Sequence, residues 1–465
     1  MGRKKSILGD RRLVDGFNTL LDRMVDRQSV VLRQLGADRN EEVQFGRFIS
    51  NPGVQSDNIV KQYWASNKQD WRGKHLLVVS DSSTLSYDPS AHRESLGFVS
   101  RHDIQDGFDI HPSILVDADN GSCLGLGGLD FLLTEKLKDE LERIQRDERY
   151  ANRRNIAFED KQSYKWLSSS SKAIANAPGA AQYTLVGDRE ADIYELMHRT
   201  TAQGWHFVYR CKFNRCIQSD MDQQAKIKDA LALCSVEHTY KVEVGATKKR
   251  RAHLATLQIK YTKVEILQTQ SNTTEQTPEK LPVYVVQVRE SPDSVAPGEP
   301  PIHWILLTSH PVQNVEQAMQ VVQWYCWRWN IEQVFRTLKL RGLDITHAQV
   351  RTYHALKNLT TMALMAALKV MLLVSSRQSQ IQQSAHPHFT EQEMECMQVL
   401  NKKVQGNTDK LSNPYQQGTL AYASWIIARL GGWSGYASQR PPGPITMILG
   451  LNRFYLIFEG FALRL

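Results

Sequence analysis

Apolar residues recur at three-and-four spacing through residues 10–35 (Leu13, Phe17, Leu20, Leu21, Met24, Val25), which predicts an amphipathic helix. A second short helical pattern over residues 41–49 stops at Asn51, Pro52 and Gly53, three turn formers in a row. Together they predict a small helical N-terminal domain over residues 1–70. The period then changes. HLLVVS (75–80) and YTLVG (183–187) are unbroken apolar runs, and each is followed at once by an acid, Asp81 and Asp188. Both read as buried strands with a carboxylate at the C-terminal edge. Residues 108–116 and 123–133 supply two further strands, 164–177 a helix, 192–200 another helix and 205–212 a strand. Strands in a run that later alternate with helices predict an α/β fold, a mixed sheet covered on both faces.

Over residues 237–302 the pattern alternates (YKVEV, LATLQIKY, VYVVQV) and is interrupted by KKRR and by the polar tract SNTTEQTPEK. This predicts a β-rich insertion with a polar tip, inside a catalytic domain of about residues 71–375. WILLT (304–308) returns to a buried strand, and an aromatic helical stretch, YCWRWNIEQVFRTLKLRG (325–342), follows. On a helical wheel of about 100° per residue, Tyr325, Arg328, Glu332, Arg336 and Lys339 share a polar arc roughly 80° wide. Trp324, Trp327, Ile331, Val334, Phe335 and Leu338 fill the other side, so one face packs and the other presents three cations, a phenol and one carboxylate. Beyond Arg351 the chain is mostly helical, with a polar linker at 375–388, and residues 376–465 read as a helical C-terminal domain.

Composition changes this picture little. The 465 residues are 41% hydrophobic and 23% charged, an ordinary globular balance that excludes a fibre or a disordered chain. The formal charge of +8 carries weight only where cations cluster, as at residues 3–5, 11–12 and 248–251. Six cysteines include no CxxC pair and no zinc-like spacing to histidine, which predicts reduced thiols in a cytoplasmic protein. No apolar run follows the basic N-terminus as a signal peptide would, and the most apolar stretch, 359–374, contains Lys369 and suits a buried helix better than a membrane span.

The chemistry rests on three acids. A carboxylate at the end of a buried strand has its backbone fixed and its side chain in the cleft at the sheet edge. Taken singly, Asp81 and Asp188 read more readily as helix caps or loop residues, and Glu332 as a salt-bridging residue on a solvated face. Brought to one cleft, three carboxylates would repel one another unless cations lay between them, and hard oxygen ligands of this kind suit Mg²⁺ or Mn²⁺.

The residues resemble the DDE transposases of bacterial insertion sequences that carry a YREK signature, here Tyr325, Arg328, Glu332 and Lys339 with every spacing kept. DREADIYE (188–195) is similar to the second-acid motif of that group and SDSSTLSY (80–87) to the first; LGD (8–10), RFISNPGV (47–54), WILLT and ARLGGW (428–433) extend the likeness over nearly the whole chain. Within the group the chain looks most like the cut-and-paste enzymes that cleave through a DNA hairpin. The resemblance implies an RNase H-like core interrupted by a β-rich insertion at 237–302. It implies that Asp81, Asp188 and Glu332 bind two divalent metal ions, and that Trp304 stacks on a base flipped out near the cleavage point. Tyr325, Arg328 and Lys339 would grip the adjacent phosphates, Arg336 stands where the group often has a second Lys, and Arg210 and Lys212 would be further DNA contacts. It also implies double-stranded DNA as partner, both transposon ends and target, and a homodimer in a synaptic complex held by the C-terminal helices, associated with the nucleoid. Two rival readings stand beside it. A DNA-binding copy without activity, or an inhibitor that sequesters transposase, fits the basic residues. A two-carboxylate glycoside hydrolase fits the acids but not the cations around Glu332.

Overall fold

The structure, a computed structural model, describes residues 6–88, 93–99, 105–134, 156–218, 225–247, 250–268, 277–339, 343–376, 383–386, 388–406, 408–436, 439 and 441–463. The basic cluster at 3–5 lies outside them, as do parts of 248–251, of the polar tract at 271–280 and of the linker at 375–388.

Asp10 accepts a hydrogen bond from the Arg12 N–H and so opens helix α1, Arg11–Arg27, which buries Phe17, Leu20, Leu21, Met24 and Val25 as its spacing predicts. The helix stops short of the expected Leu35 because Gln28 takes a left-handed conformation (φ 47°). A single turn, α2 (Leu32–Leu35), follows. Helices α3 (Arg39–Ser50, capped by Asp38) and α4 (Ser56–Ser66) come next; the pattern reading had missed α4. Later helices are α5 (Lys165–Asn176), α6 (Tyr194–Ala202), α7 (Ile227–Leu233), α8 (Val315–Trp327), α9 (Trp329–Lys339), α10 (Tyr353–Ser376), α11 (Glu391–Val404), α12 (Leu420–Leu430) and α13 (Pro444–Ala462).

The strands are β1 (His75–Ser80), β2 (Ser83–Tyr87), β3 (Gly97–Phe98), β4 (Asp106–Asp117), β5 (Cys123–Leu132), β6 (Gln182–Gly187), β7 (His206–Arg210), β8 (His238–Val244), β9 (His253–Leu267), β10 (Lys280–Glu290) and β11 (His303–Thr308). They form one mixed sheet in the order β2-β4-β1-β6-β7-β11-β10-β9-β8, with β3 and β5 also paired to β4. Within it, β5-β4-β1 are antiparallel and β1-β6-β7 parallel, an arrangement consistent with an RNase H-like domain. The strands expected as an insertion, β8 to β10, continue this sheet outward through β11.

Helix α5 lies on β1, β4 and β5, and it comes very close: a Cβ at Gly128 would stand 2.0 Å from the Ser169 carbonyl oxygen. Small residues on the helix answer it, and the hydroxyls of Ser80, Ser113, Ser169 and Ser170 form a buried hydrogen-bonded chain across the interface. Helix α10 is long and apolar enough to cross a membrane, but its apolar window is 83% buried within the protein, against α1, α3, α4, β5, α12 and α13. The buried reading of that stretch therefore holds. Helix α13 passes the same length and apolarity test with only 28% of its window buried. All six cysteines are free thiols.

Two side chains tie α10 to the turn between α3 and α4. Asn358 is 1% exposed, and its Nδ2 donates to the carbonyls of Ile49 and Val54, each at 2.9 Å, while His354 bonds the Asn51 carbonyl at 2.9 Å. The turn in RFISNPGV is thus held from outside by α10. Replacing Asn358 by Ala leaves two buried carbonyls without that donor, and we expect a loss of about 1–3 kcal/mol, measured as a lower urea midpoint.

Candidate active site

Two registers decide where the acids stand. β1 and β6 pair in parallel with Val79 beside Val186, so the residues two places on, Asp81 and Asp188, sit level at neighbouring C-terminal strand ends, with axes about 4.8 Å apart. β1 and β2 run along β4 in one unbroken register, Ser80 opposite Ser113 and Ser83 opposite Ile110. That brings Asp81 level with Pro112, which has no N–H to give, and the strand is interrupted there. Asp81 is thereby released from the ladder. Ser82 follows it with a hydrogen bond to Nδ1 of the fully buried His111 (2.9 Å), a link the sequence reading missed.

Helices α8 and α9 supply the rest. The expected single helix is two, broken at Arg328, whose N–H bonds the Tyr325 carbonyl three residues back while Ile331 in turn bonds the Arg328 carbonyl. The break sits at a residue that reaches both Asp81 and Glu332: Arg328 Nη1 donates to Asp81 Oδ2 at 3.1 Å and Nη2 to Glu332 Oε1 at 2.5 Å. Ile331, Val334, Phe335 and Leu338 are buried as the wheel predicts. Trp327 is only half-buried, its indole lying on the turn at Gly121, and Trp329 is exposed.

Charge in the cleft is finely opposed. Burial and then the negative charge of Asp188 push the Asp81 carboxyl up to about 6; the Ser82 N–H and Arg328 pull against them, and Glu332 adds to the rise. Burial works against the charge of Arg328, but Tyr325, Glu332 and Asp81 restore it. Asp188 uses Oδ1 to accept from the Glu190 N–H (2.8 Å), starting a short 3₁₀ turn, Arg189–Ala191. Among the described residues no three acidic, histidine or cysteine side chains stand in the geometry that would grip one metal ion. The donor set nonetheless fits a hard divalent cation. The leading carboxylates repel, and a guanidinium occupies the place where opposite charge is needed.

The other expected residues divide. Trp304 is half-buried and meets the Tyr325 ring edge-on at 5.4 Å. Tyr325 is 4% exposed, beneath Arg328 rather than on an open face, and burial raises its phenol while Arg328 and Arg210 oppose the rise. Arg210 is half-buried and donates to the His303 carbonyl (3.2 Å). Lys212 and Arg336 are exposed. Lys339 is half-buried, and burial pushes its ammonium down against the pull of Asp109.

The sequence reading also missed what holds Lys212. Asp192, fifth residue of DREADIYE, is buried and accepts from the backbone N–H groups of Lys212 (2.6 Å) and Phe213 (3.0 Å) and from Arg215 Nε (2.7 Å). One carboxylate thus shapes the loop after β7. The motif itself was the available signal, since its second aspartate had no role in the metal reading.

Residues 172–369 match the family model of the transposase DDE domain. The matched stretch contains Asp188, Glu332, β6 to β11 and both helices of the cleft; Asp81 precedes it. The match supports a DDE transposase; enzymes of that family are of transposase or nuclease type, act on DNA and generally use divalent metals.

A free aspartate ionises near pH 3.9, about two units below Asp81 in the fold. Between these values the unfolded chain is charged first, so stability falls as pH rises from about 4 to about 6 and is level above. Asp81→Asn removes that fall. In EDTA at neutral pH the variant is expected to be about 1–3 kcal/mol more stable than the wild type and near parity at pH 4, read from denaturation midpoints.

Proposed function

We propose that the chain is a transposase that cuts DNA at the ends of its element and joins them to a target. Water first breaks a phosphodiester to leave a 3′-hydroxyl; that hydroxyl attacks the opposite strand to close a hairpin, water reopens it, and the freed 3′-hydroxyl attacks target DNA. Each step exchanges one P–O bond for another, so no oxidant or nucleotide is required. The observation that carries this reading is the level placement of Asp81 and Asp188 with Glu332 joined to Asp81 through Arg328.

Asp81, Asp188 and Glu332 would hold two ions, Mg²⁺ or Mn²⁺. Such ions supply activation of a water or 3′-hydroxyl and stabilisation of the leaving oxygen. When the carboxylates turn to this task, Arg328 is released towards a phosphate, a bidentate partner suited to its planar fork. Tyr325 supports the Arg328 guanidinium from below, with ring and guanidinium 5.7 Å apart. Trp304, partly open at the start of β11, stacks on the flipped base. Arg210, Lys212, Arg336 and Lys339 hold the backbone on either side.

The N-terminal helices bind the element's ends, and the C-terminal helices join two copies in a synaptic homodimer. Support for the second point comes from α13, which leaves Ile445, Leu449, Leu456 and Ile457 exposed along its length. The expected location is the cytoplasm, on the nucleoid.

Purified protein incubated with Mg²⁺ and a DNA fragment bearing the element's own ends is expected to give nicks and hairpins, lost in Glu332→Ala. Intact DNA with the wild type would sink the enzyme reading, and equal cutting by the variant would sink the role of Glu332. Trp304→Ala is expected to spare the first nick and reduce hairpins by about tenfold or more, since a stacked base is worth about 1–3 kcal/mol. Light scattering on Leu449→Glu/Leu456→Glu in the presence of end DNA is expected to show monomeric complexes where the wild type shows dimers.

A further inference from the structure

The sheet carries a second concentration of positive charge on the face away from α8. Trp304 packs on Tyr325 of α8, so its neighbour His303 points to the opposite side. There the registers set His303, Arg289 and Gln258 side by side across β11, β10 and β9, with Lys260 beside Gln287 one step along. Lys228 of α7 forms the other wall of the open groove that these residues line.

Lys228 and Arg289 are exposed, and Lys260 is half-buried with its ammonium donating to the Leu231 carbonyl at 3.3 Å. Gln287 and His303 share a hydrogen bond of 3.0 Å. Among the described residues, none of these cations has a carboxylate within ion-pair distance, although the protein pairs many of its other cations. Burial depresses the His303 imidazole, and the charges of Arg289, Lys228, Arg210 and Arg189 depress it further. Four cations are thus close enough to act on one ring. Two of them, Arg189 and Arg210, belong to the catalytic end, since Arg189 follows Asp188 directly and Arg210 lies level with it on β7.

A row of unpaired cations repels itself and is relieved by a polyanion, and this row is open along its length rather than closed around a small molecule. The geometry points to a second DNA site: Lys228, Lys260, Arg289 and His303 bind backbone phosphates of the strand that leaves the cleavage point past Arg189 and Arg210. The inference rests on the reading of the chain as a DNA-cutting enzyme. From β6 the groove begins two strands away and ends four strands away, roughly 10–20 Å at about 4.8 Å per strand. That corresponds to about three to six base pairs from the cut at 3.4 Å per pair.

The test is a salt titration of full-length protein on a duplex of about 40 base pairs, comparing wild type with Lys228→Ala/Lys260→Gln/Arg289→Ala; each lost phosphate contact lowers the log–log slope by about 0.9, so a slope shallower by about two to three is expected. Lys228→Glu alone, at an exposed position, is expected to lower it by about one or more and keeps the result readable if the triple variant folds poorly. An unchanged slope with DNA binding intact would overturn the groove alone. An equal drop in Lys402→Ala/Lys403→Ala, two exposed lysines on α11, would also overturn it. Absence of DNA binding by the wild type would overturn the parent reading instead. Duplexes ending less than about three base pairs from the cut, trimmed on one side or the other, are expected to erase the difference between wild type and variant on one side only, which tells element DNA from flanking DNA. Loss on neither side would count against the site.

Discussion

Two carboxylates held level at adjacent strand ends are the constraint around which this chain is arranged. Parallel pairing of β1 with β6 leaves Asp81 no way to move away from Asp188 without breaking the register of a buried sheet, so their repulsion is built in. Such a cleft must contain positive charge. Arg328 supplies it, and the break between α8 and α9 falls at this residue. Arg328 keeps right-handed helical angles (φ −52°, ψ −31°) and pairs with Glu332 at i, i+4 spacing while its other terminal nitrogen reaches Asp81 on the β1 side, and α9 packs through Ile331, Val334 and Leu338.

The same registers align more than the acids. Asp188 lies level with Arg210 on β7, and β11 runs back along β7 so that Leu306 is opposite Arg210 and Trp304 falls two places further out. Strand alternation puts Asp81, Asp188, Arg210 and Trp304 on one face, the face that α8 covers. Acid, acid, cation and indole thus form one row, Arg210 and Trp304 within their strands and the two aspartates one residue past the ends of theirs, and rigid elements hold such groups more closely than loops do.

Much of this was legible in the residues. Uninterrupted apolar runs marked β1, β6 and β11 because strands buried on both faces admit no polar alternation, and the acids that close two of them were visible for the same reason. Helical spacing separated the packing side of α9 from its polar side. What periodicity could not reveal was local and backbone-borne. The left-handed Gln28 that ends α1, the shift to three-residue hydrogen bonds at Arg328 and the gap opposite Pro112 are local events with no period to betray them. Nor could spacing show that Tyr325 lies under Arg328, since a wheel gives direction around one helix and says nothing of the strand that covers it.

Asp192 shows why a motif can be recognised before it is understood. In DREADIYE the first aspartate faces the cleft and the fifth residue faces inward, where it takes two backbone N–H groups and the Arg215 guanidinium in a pocket from which water is excluded. A buried carboxylate with so many donors is strongly held, and whatever it holds is held with it. The loop carrying Lys212 and Phe213 therefore inherits the rigidity of β6 and the turn after it, although it follows a different strand. Asp188 and Asp192 thus stand in one motif for unrelated physical reasons: one presents charge to the cleft beside Asp81, and the other fixes where the neighbouring cation can stand.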